Sequence, residues 1–375
     1  MSVFSFAVAA DSHFKAIEPL GRSLEGGSNS RTVKKLDSLK QFVSLSGVDF
    51  LVYLGDLFDS HNPPNWLRSN VAQIIAQCKV PFIYVPGNHD WSGQVGAFES
   101  EGFLSDKFNS QYEIGGEEGN LPGFYYIKSA TEFIYKQVPM LFVPFYDHLA
   151  IKHEGQQVLF SHFYAEGASL AKSNQPLVLK GKGTPIERIN KFPLCFLGDI
   201  HKHQRLPIGK FGTHYPGCLS RINIDDGTLE TGYLKVTLEA DKGVLQKPRE
   251  VRHIQVPDWD MLRLEITLTE LDDVEQISIE LPEKVPEILQ CVFKGPRDLL
   301  SLLPIVRIRK QVMDAGVERF VFDRVFSDDP QRSSDEVTDL DTPIEGTLPL
   351  RWKVYCQSNL IGTSVSDLVA IHLED

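Results

Sequence analysis

The sequence predicts an α/β fold built on a largely parallel sheet, and three observations carry that prediction. Strand-like apolar runs alternate with amphipathic helical segments through the first half of the chain. Several of those runs stop at a glycine followed by Asp, Asn or His, where α/β sheets form their ligand sites. At 375 residues, with 42% hydrophobic and 23% charged content, the chain can bury one large core and support a smaller second unit.

The elements follow in order. "VFSFAVAAD" reads as the first strand; it lacks the basic start of a secretory signal and runs straight into Asp11 and His13. "RTVKKLDSLKQFVSLSGV" places Val33, Leu36, Leu39, Phe42 and Val43 on one helical stripe. "DFLVYLGD" is a buried strand, "NWLRSNVAQIIAQC" a helix and "VPFIYVPGNHD" a strand, completing β-α-β-α-β. "MLFVPF", "QQVLFSH" and "PLCFLGD" are three further short strands. Beyond about residue 235, "GYLKVTLEA", "REVRHIQVP" and "MLRLEITLTE" alternate like strands, and "DLLSLLPIVRIRKQVMDAG" is helical around Pro304.

The expected organisation is a main domain over 1–238, a smaller α+β unit over 239–326, an acidic flexible linker over 327–346 and a C-terminal segment over 347–375 that would serve partner binding. No window approaches the roughly 18 apolar residues of a membrane span. The five cysteines are scattered without a Cys-x-x-Cys pair, which points to free thiols in a reducing cytoplasm and excludes a zinc knuckle or a disulfide framework. A net charge of −12 argues against a simple basic nucleic-acid binder. The charge is uneven, however: residues 323–345 are strongly acidic and 172–205 basic, so a local basic surface survives in an acidic protein.

The chemistry lies at the strand ends. Four runs end in Asp-x-His (Asp11, His13), Gly-Asp (Asp56), Gly-Asn-His-Asp (Asn88, His89, Asp90) and Gly-Asp-x-His (Asp199, His201), and a fifth ends in Ser-His (His162). Alternate residues of a strand face the same way, so Asp11 and His13 can address one ion. A carboxylate with two oxygens, such as Asp56, can bridge two. Mixed oxygen and nitrogen donors suit Mn²⁺, Fe²⁺ or Zn²⁺ better than Ca²⁺. The expected division is Asp11, His13, Asp56 and His201 around one divalent ion, and Asp56, Asn88, His162 and Asp199 around the other. Two such ions clamp a phosphate for in-line attack. His89 would then aid the leaving oxygen, oriented by a carboxylate from Asp59 or Asp90.

"DSH", "GDLFD", "GNHD", "FSH" and "GDIH", in this order and spacing, resemble the signature of the calcineurin-like metallophosphoesterases over about residues 1–225. The resemblance implies a four-layer α/β/β/α sandwich and a pair of metal ions bridged by Asp56, with His89 catalytic and Asp59 its partner. "GDIHKHQ" followed by "YPGCLSR" narrows the likeness to SbcD-type nuclease subunits, bacterial or phage. That narrower resemblance implies Mn²⁺, exonuclease and endonuclease action on DNA in replication, recombination and repair, and a C-terminal α+β domain capping the nuclease. It also implies an SbcC-like coiled-coil ATPase as partner, a homodimer among the assemblies allowed, and no membrane. Lys180, Lys182, Lys202, His203 and Arg205 are the candidate DNA contacts. Asp199 departs from the family, which usually has histidine there. Three carboxylates against two divalent ions leave one net positive charge, where histidine would leave two. A phosphatase or phosphodiesterase acting on a nucleotide or phosphoprotein is the alternative function.

Overall fold

The computed structural model describes residues 1–18, 21, 24, 29–92, 97, 123–150, 157–170, 184–227 and 229–327. The order β1 (Ser2–Ala9), α1 (Ser30–Val43), β2 (Phe50–Leu54), α2 (Asn65–Ile75) and β3 (Phe82–Val85) is the expected βαβαβ unit. Next come β4 (Phe124–Tyr126), β5 (Thr131–Tyr135), β6 (Val138–Val143), β7 (Val158–His162), the single-turn α3 (Ile186–Ile189) and β8 (Leu194–Gly198). The strands β9 (Gln204–Leu206), β10 (Thr213–Tyr215), β11 (Gly232–Asp241), β12 (Val244–Leu245) and β13 (Glu250–Gln255) follow.

Among the described residues these strands form two mixed sheets. The first has the order β12-β11-β1-β2-β3-β4, with β13 also paired to β11, and the second the order β5-β6-β7-β8-β10-β9. β1 to β4 run parallel, as do β6, β7, β8 and β10. The layer between the sheets is aromatic and dry: Phe6, Phe160 and Phe196 are fully buried, with Phe6 5.6 Å from Phe160 and 5.5 Å from Phe196. Such edge-to-face packing adds to the burial of each ring.

On the outer face of the first sheet, Leu36, Leu39 and Phe42 of α1 pack with Val71, Ile74 and Ile75 of α2 over Leu51, Tyr53 and Tyr84. The stripe expected on α1 is correct except at Val33, which is 39% exposed. Thr32 and Lys35 take the buried face there instead, because Lys35 reaches down to donate to the carbonyls of Ser12 and His13 at 3.0 and 3.2 Å. On the outer face of the second sheet, Ile189 and Phe192 cover Leu141, Leu159 and Cys195.

The boundary expected at 239 falls inside β11, which pairs antiparallel with β1 from Ser2↔Ala240 to Val8↔Leu234. β13 then continues the same sheet to Gln255. A separate three-stranded sheet of β14 (Met261–Thr267), β15 (Ile288–Gly295) and β16 (Arg319–Phe326) begins only after it, with α4 (Leu271–Glu275), α5 (Arg297–Ser301) and α6 (Ile305–Asp314). Pro304 separates α5 from α6, since it has no N–H to continue a helix. Met1–Val325 forms one compact unit. The second unit, Phe326–Asp375, lies outside the described residues beyond Ser327, and with it most of the acidic linker and the C-terminal segment. No described helix is long and apolar enough to cross a membrane. The described cysteines, Cys78, Cys195, Cys218 and Cys291, are free thiols.

Candidate metal centre

The carboxyl ends of β1, β2, β3, β7 and β8 supply the site. After β1 and β2 the chain leaves the sheet as two loops joined edge to edge: Asp11 N–H donates to Gly55 O (3.1 Å), His13 to Asp56 O (2.9 Å) and Phe14 to Leu57 O (2.9 Å). Asp11, His13, Asp56 and Asp199 sit at positive φ of 54°, 44°, 51° and 85°. Non-glycine residues rarely adopt that region, at a cost on the order of 1 kcal/mol or more each. Four such residues around one point mark a site held against local backbone preference. Gly87 is required as well, because a Cβ there would lie 2.2 Å from Asp56 Oδ1.

The side chains converge. Nε2 of His13 lies 3.3 Å from Asp56 Oδ2, and Nδ1 lies 3.3 Å from Asp59 Oδ1. His162 donates from Nδ1 to Leu54 O at 2.7 Å, and its Nε2 faces Asn88 Oδ1 (3.1 Å), Asp56 Oδ2 (3.4 Å) and Asp199 Oδ1 (3.8 Å). Asp199 N–H donates to both oxygens of Asp11 at 3.2 Å. Three groups have ligand atoms within 4.8 Å of one another: Asp11, His13 and His201; Asp11, Asp56 and His162; and His13, Asp59 and His89.

Electrostatics explains what such a cluster needs. Asp11 and Asp56 are almost wholly buried, and Asp199 is partly buried beside them. Burial pushes the Asp11 carboxyl up to about 7, despite the nearby imidazoles of His162 and His201. Burial would also raise Asp56, but His162 and His13 outweigh it and hold that carboxyl below its usual range. Burial presses His13 down to about 4, so its ring is neutral near pH 7. Neither ring nitrogen of His13 has a hydrogen bond of normal geometry. Buried carboxylates around neutral, orphaned imidazole nitrogens form an acceptor-rich pocket, and divalent cations are the groups that satisfy it. The residues present fit such ions. The carbonyl of Leu54 keeps a proton on Nδ1 of His162, so Nε2 is the nitrogen that would ligate a cation once its own proton is displaced, a common arrangement behind metal-bound histidines.

A family model for calcineurin-like phosphoesterases matches residues 4–203. The chain belongs to that family. It carries the clustered His and Asp groups of a divalent-metal centre that this family implies. Three solved structures are similar in part. A candidate 5′-nucleotidase from Staphylococcus aureus, in complex with α-ketoglutarate, matches at 12% identity and TM-score 0.39, covering 84% of this chain and 58% of its own. The chain thus spans 58% of that protein's length. A predicted phosphoesterase from Streptococcus pneumoniae matches at 13% and TM-score 0.29, covering 66% of this chain and 99% of its own. A protein of unknown function from Aquifex aeolicus matches at 16% and TM-score 0.24, covering 52% of this chain and 79% of its own. No curated protein matches the chain.

The fold brings Asp11, His13, Asp56, Asn88, His162, Asp199 and His201 to one place, with His89 beside them at 4.6 Å between the His13 and His89 rings. Two expected roles differ. The carboxylate of Asp59 does not orient His89. It binds His13 Nδ1 and Lys15 Nζ (3.3 and 3.2 Å), and the His89 ring instead meets the backbone carbonyl of Asp59 at 3.0 Å. Asp90 does not orient His89 either. Its buried carboxylate accepts from the N–H groups of Asp56, Gly87 and Phe58, at 2.6, 3.0 and 3.1 Å, and so clamps the loop that presents Asp56.

Of the candidate DNA contacts, Lys180 and Lys182 lie outside the described residues. Arg205 is exposed and donates to Phe211 O, and Lys202 is half-buried. The His203 ring stacks on that of His253 at 4.2 Å and 10°, with Nδ1 against Tyr215 O. Trp91, directly after the Gly-Asn-His-Asp run, packs on Tyr146 at 4.4 Å between ring centroids. The sequence reading missed Lys35, which holds the Ser12–His13 turn, and Asp226, whose carboxylate faces His201. Neither stands in a recognisable motif.

Proposed function

We propose that this phosphoesterase is a DNA phosphodiesterase, an exonuclease with endonuclease capacity, and the nuclease subunit of an SbcC–SbcD-like complex. The observation that carries the phosphodiester chemistry is the meeting of Asp11, Asp56 and His162 with His89 close by. The DNA assignment is supported by "GDIHKHQ" and "YPGCLSR", which resemble SbcD-type elements.

In this reading one ion is held by Asp11, His13, Asp56 and His201, and the other by Asp56, Asn88, His162 and Asp199, with Mn²⁺ the preferred metal. Such a pair supplies Lewis acidity toward a phosphodiester. The protein does the rest. Burial would lower the pKa of His89, but Asp56 outweighs it and raises the pKa, which favours the charged ring. With Nδ1 donating to Asp59 O, the other N–H is left to protonate the leaving oxygen. Lys202, His203 and Arg205, with Lys180 and Lys182, track the DNA backbone, and the three-stranded C-terminal sheet caps the duplex. An SbcC-like coiled-coil ATPase docks on the C-terminal segment.

The test uses end-labelled duplex DNA with Mn²⁺, the purified chain and a His89→Ala control. Metal-dependent shortening that falls about 10²- to 10⁴-fold in the variant is expected. Intact DNA beside rapid cleavage of a small phosphodiester contradicts the nuclease reading and leaves the nucleotide or phosphoprotein enzyme.

A further inference from the structure

We propose that Asp226 is a positioning residue that fixes the ring of His201, and that the C-terminal sheet holds Asp226 in place through Arg263. This rests on the metal-centre reading, since His201 matters here only as a ligand.

Asp226 closes the short 3-10 turn Ile224–Asp226 and is only 2% exposed. Its two oxygens have different duties. Oδ2 accepts from the N–H groups of Ile222 and Asn223 at 3.0 and 3.2 Å, which is turn capping. Oδ1 faces His201 Nδ1 at 3.5 Å and has no such local role. A carboxylate on one ring nitrogen keeps the proton there, so the lone pair of the other nitrogen faces the ion. His201 has a ring nitrogen within 4.8 Å of ligand atoms of Asp11 and His13, and with Nδ1 on Asp226 that role falls to Nε2.

The turn that carries Asp226 is gripped from the C-terminal side. The adjacent Asp225 points the other way, to Arg263 of β14, with NH1 3.2 Å from Oδ1. Gly227 lies so close to Met261, the first residue of β14, that a Cβ would fall 2.0 Å from its carbonyl oxygen. Just upstream, Arg221 donates to the carbonyls of Trp259 and Leu229, and its own N–H donates to Asp258. Successive carboxylates therefore face the metal centre and the C-terminal sheet, and a shift of β14 is carried to His201 by a single turn.

Asp226→Asn keeps an acceptor for the turn but lets an amide N–H face His201, favouring the tautomer with its proton on the metal-facing nitrogen. Calorimetric titration of the full chain with Mn²⁺ and visible spectra of the Co²⁺ form read the effect, with the apo melting temperature as the check on folding. One of two binding steps should weaken about ten- to hundred-fold, and the Co²⁺ bands should change, while the other step holds. Arg263→Leu, which leaves the Asp226 side chain itself unaltered, should weaken the same step by about two- to five-fold, and Arg263→Lys should restore most of it. Wild-type affinity and spectrum in Asp226→Asn would overturn the positioning role. An unchanged Arg263→Leu would overturn the link to the sheet. A wild-type chain that takes up no metal would instead overturn the metal centre on which both depend.

Discussion

The same strands behave in opposite ways along their length. In their middle, Phe6, Phe160 and Phe196 meet across the two sheets, fully buried, in ordinary strand geometry. At their carboxyl ends the chain places Asp11, Asp56 and His162 at similar burial, and forces Asp11, His13, Asp56 and Asp199 into positive φ. One end is stable because water is excluded from apolar surface. The other excludes water from charge, which is unfavourable until cations arrive. The stable layer is what allows the strained one to persist.

Asp56→Asn attacks the strained end and should have the largest effect. Mn²⁺ uptake and phosphodiester cleavage should fall below detection, while a cooperative unfolding transition remains by circular dichroism. Retained activity would mean Asp56 does not join the two ions. Phe160→Ala attacks the stable end. Equilibrium urea unfolding should show a loss of about 3–5 kcal/mol, with metal stoichiometry per folded molecule unchanged. If metal uptake fell as steeply as stability, the two ends would not be separable.

The mildest test is pH. Burial leaves the apo Asp11 carboxyl protonated up to about 7, and the charge of Asp56, against burial, holds His162 protonated well above its usual range. Metal must displace those protons, so affinity should rise with pH from 5 through 8. Calorimetry in buffers of different ionisation enthalpy should show net proton release at pH 7. A pH-independent affinity would mean the groups are already ionised in the apo protein.

How legible each region was follows the same contrast. The strands feeding the site announced themselves because an apolar run breaking at Gly-Asp or Ser-His is a local signal. β6 was read from "MLFVPF", but β5 and the hairpin joining them were not, because Lys136 and Gln137 make the turn at φ 47° and 68° without the Asn or Gly that usually marks such turns. β11 read correctly as a strand, yet its partner is β1, more than two hundred residues earlier, so the domain boundary was drawn too soon. Motifs named the side chains of the centre but not their supports. Asp59 was assigned its carboxylate's role from the family pattern, and only the fold shows that its carbonyl meets His89. Asp226 sits in "NIDDG", which reads as a plain turn, and its partner His201 is brought to it by tertiary folding.

The most direct measurement is anomalous scattering at the manganese edge from crystals of the chain soaked in Mn²⁺. Two peaks ~4 Å apart, one on each side of the Asp56 carboxylate, are predicted. One should lie against His13 and His201, the other against Asn88 and His162. No peak within bonding distance of Asp56 would contradict the account.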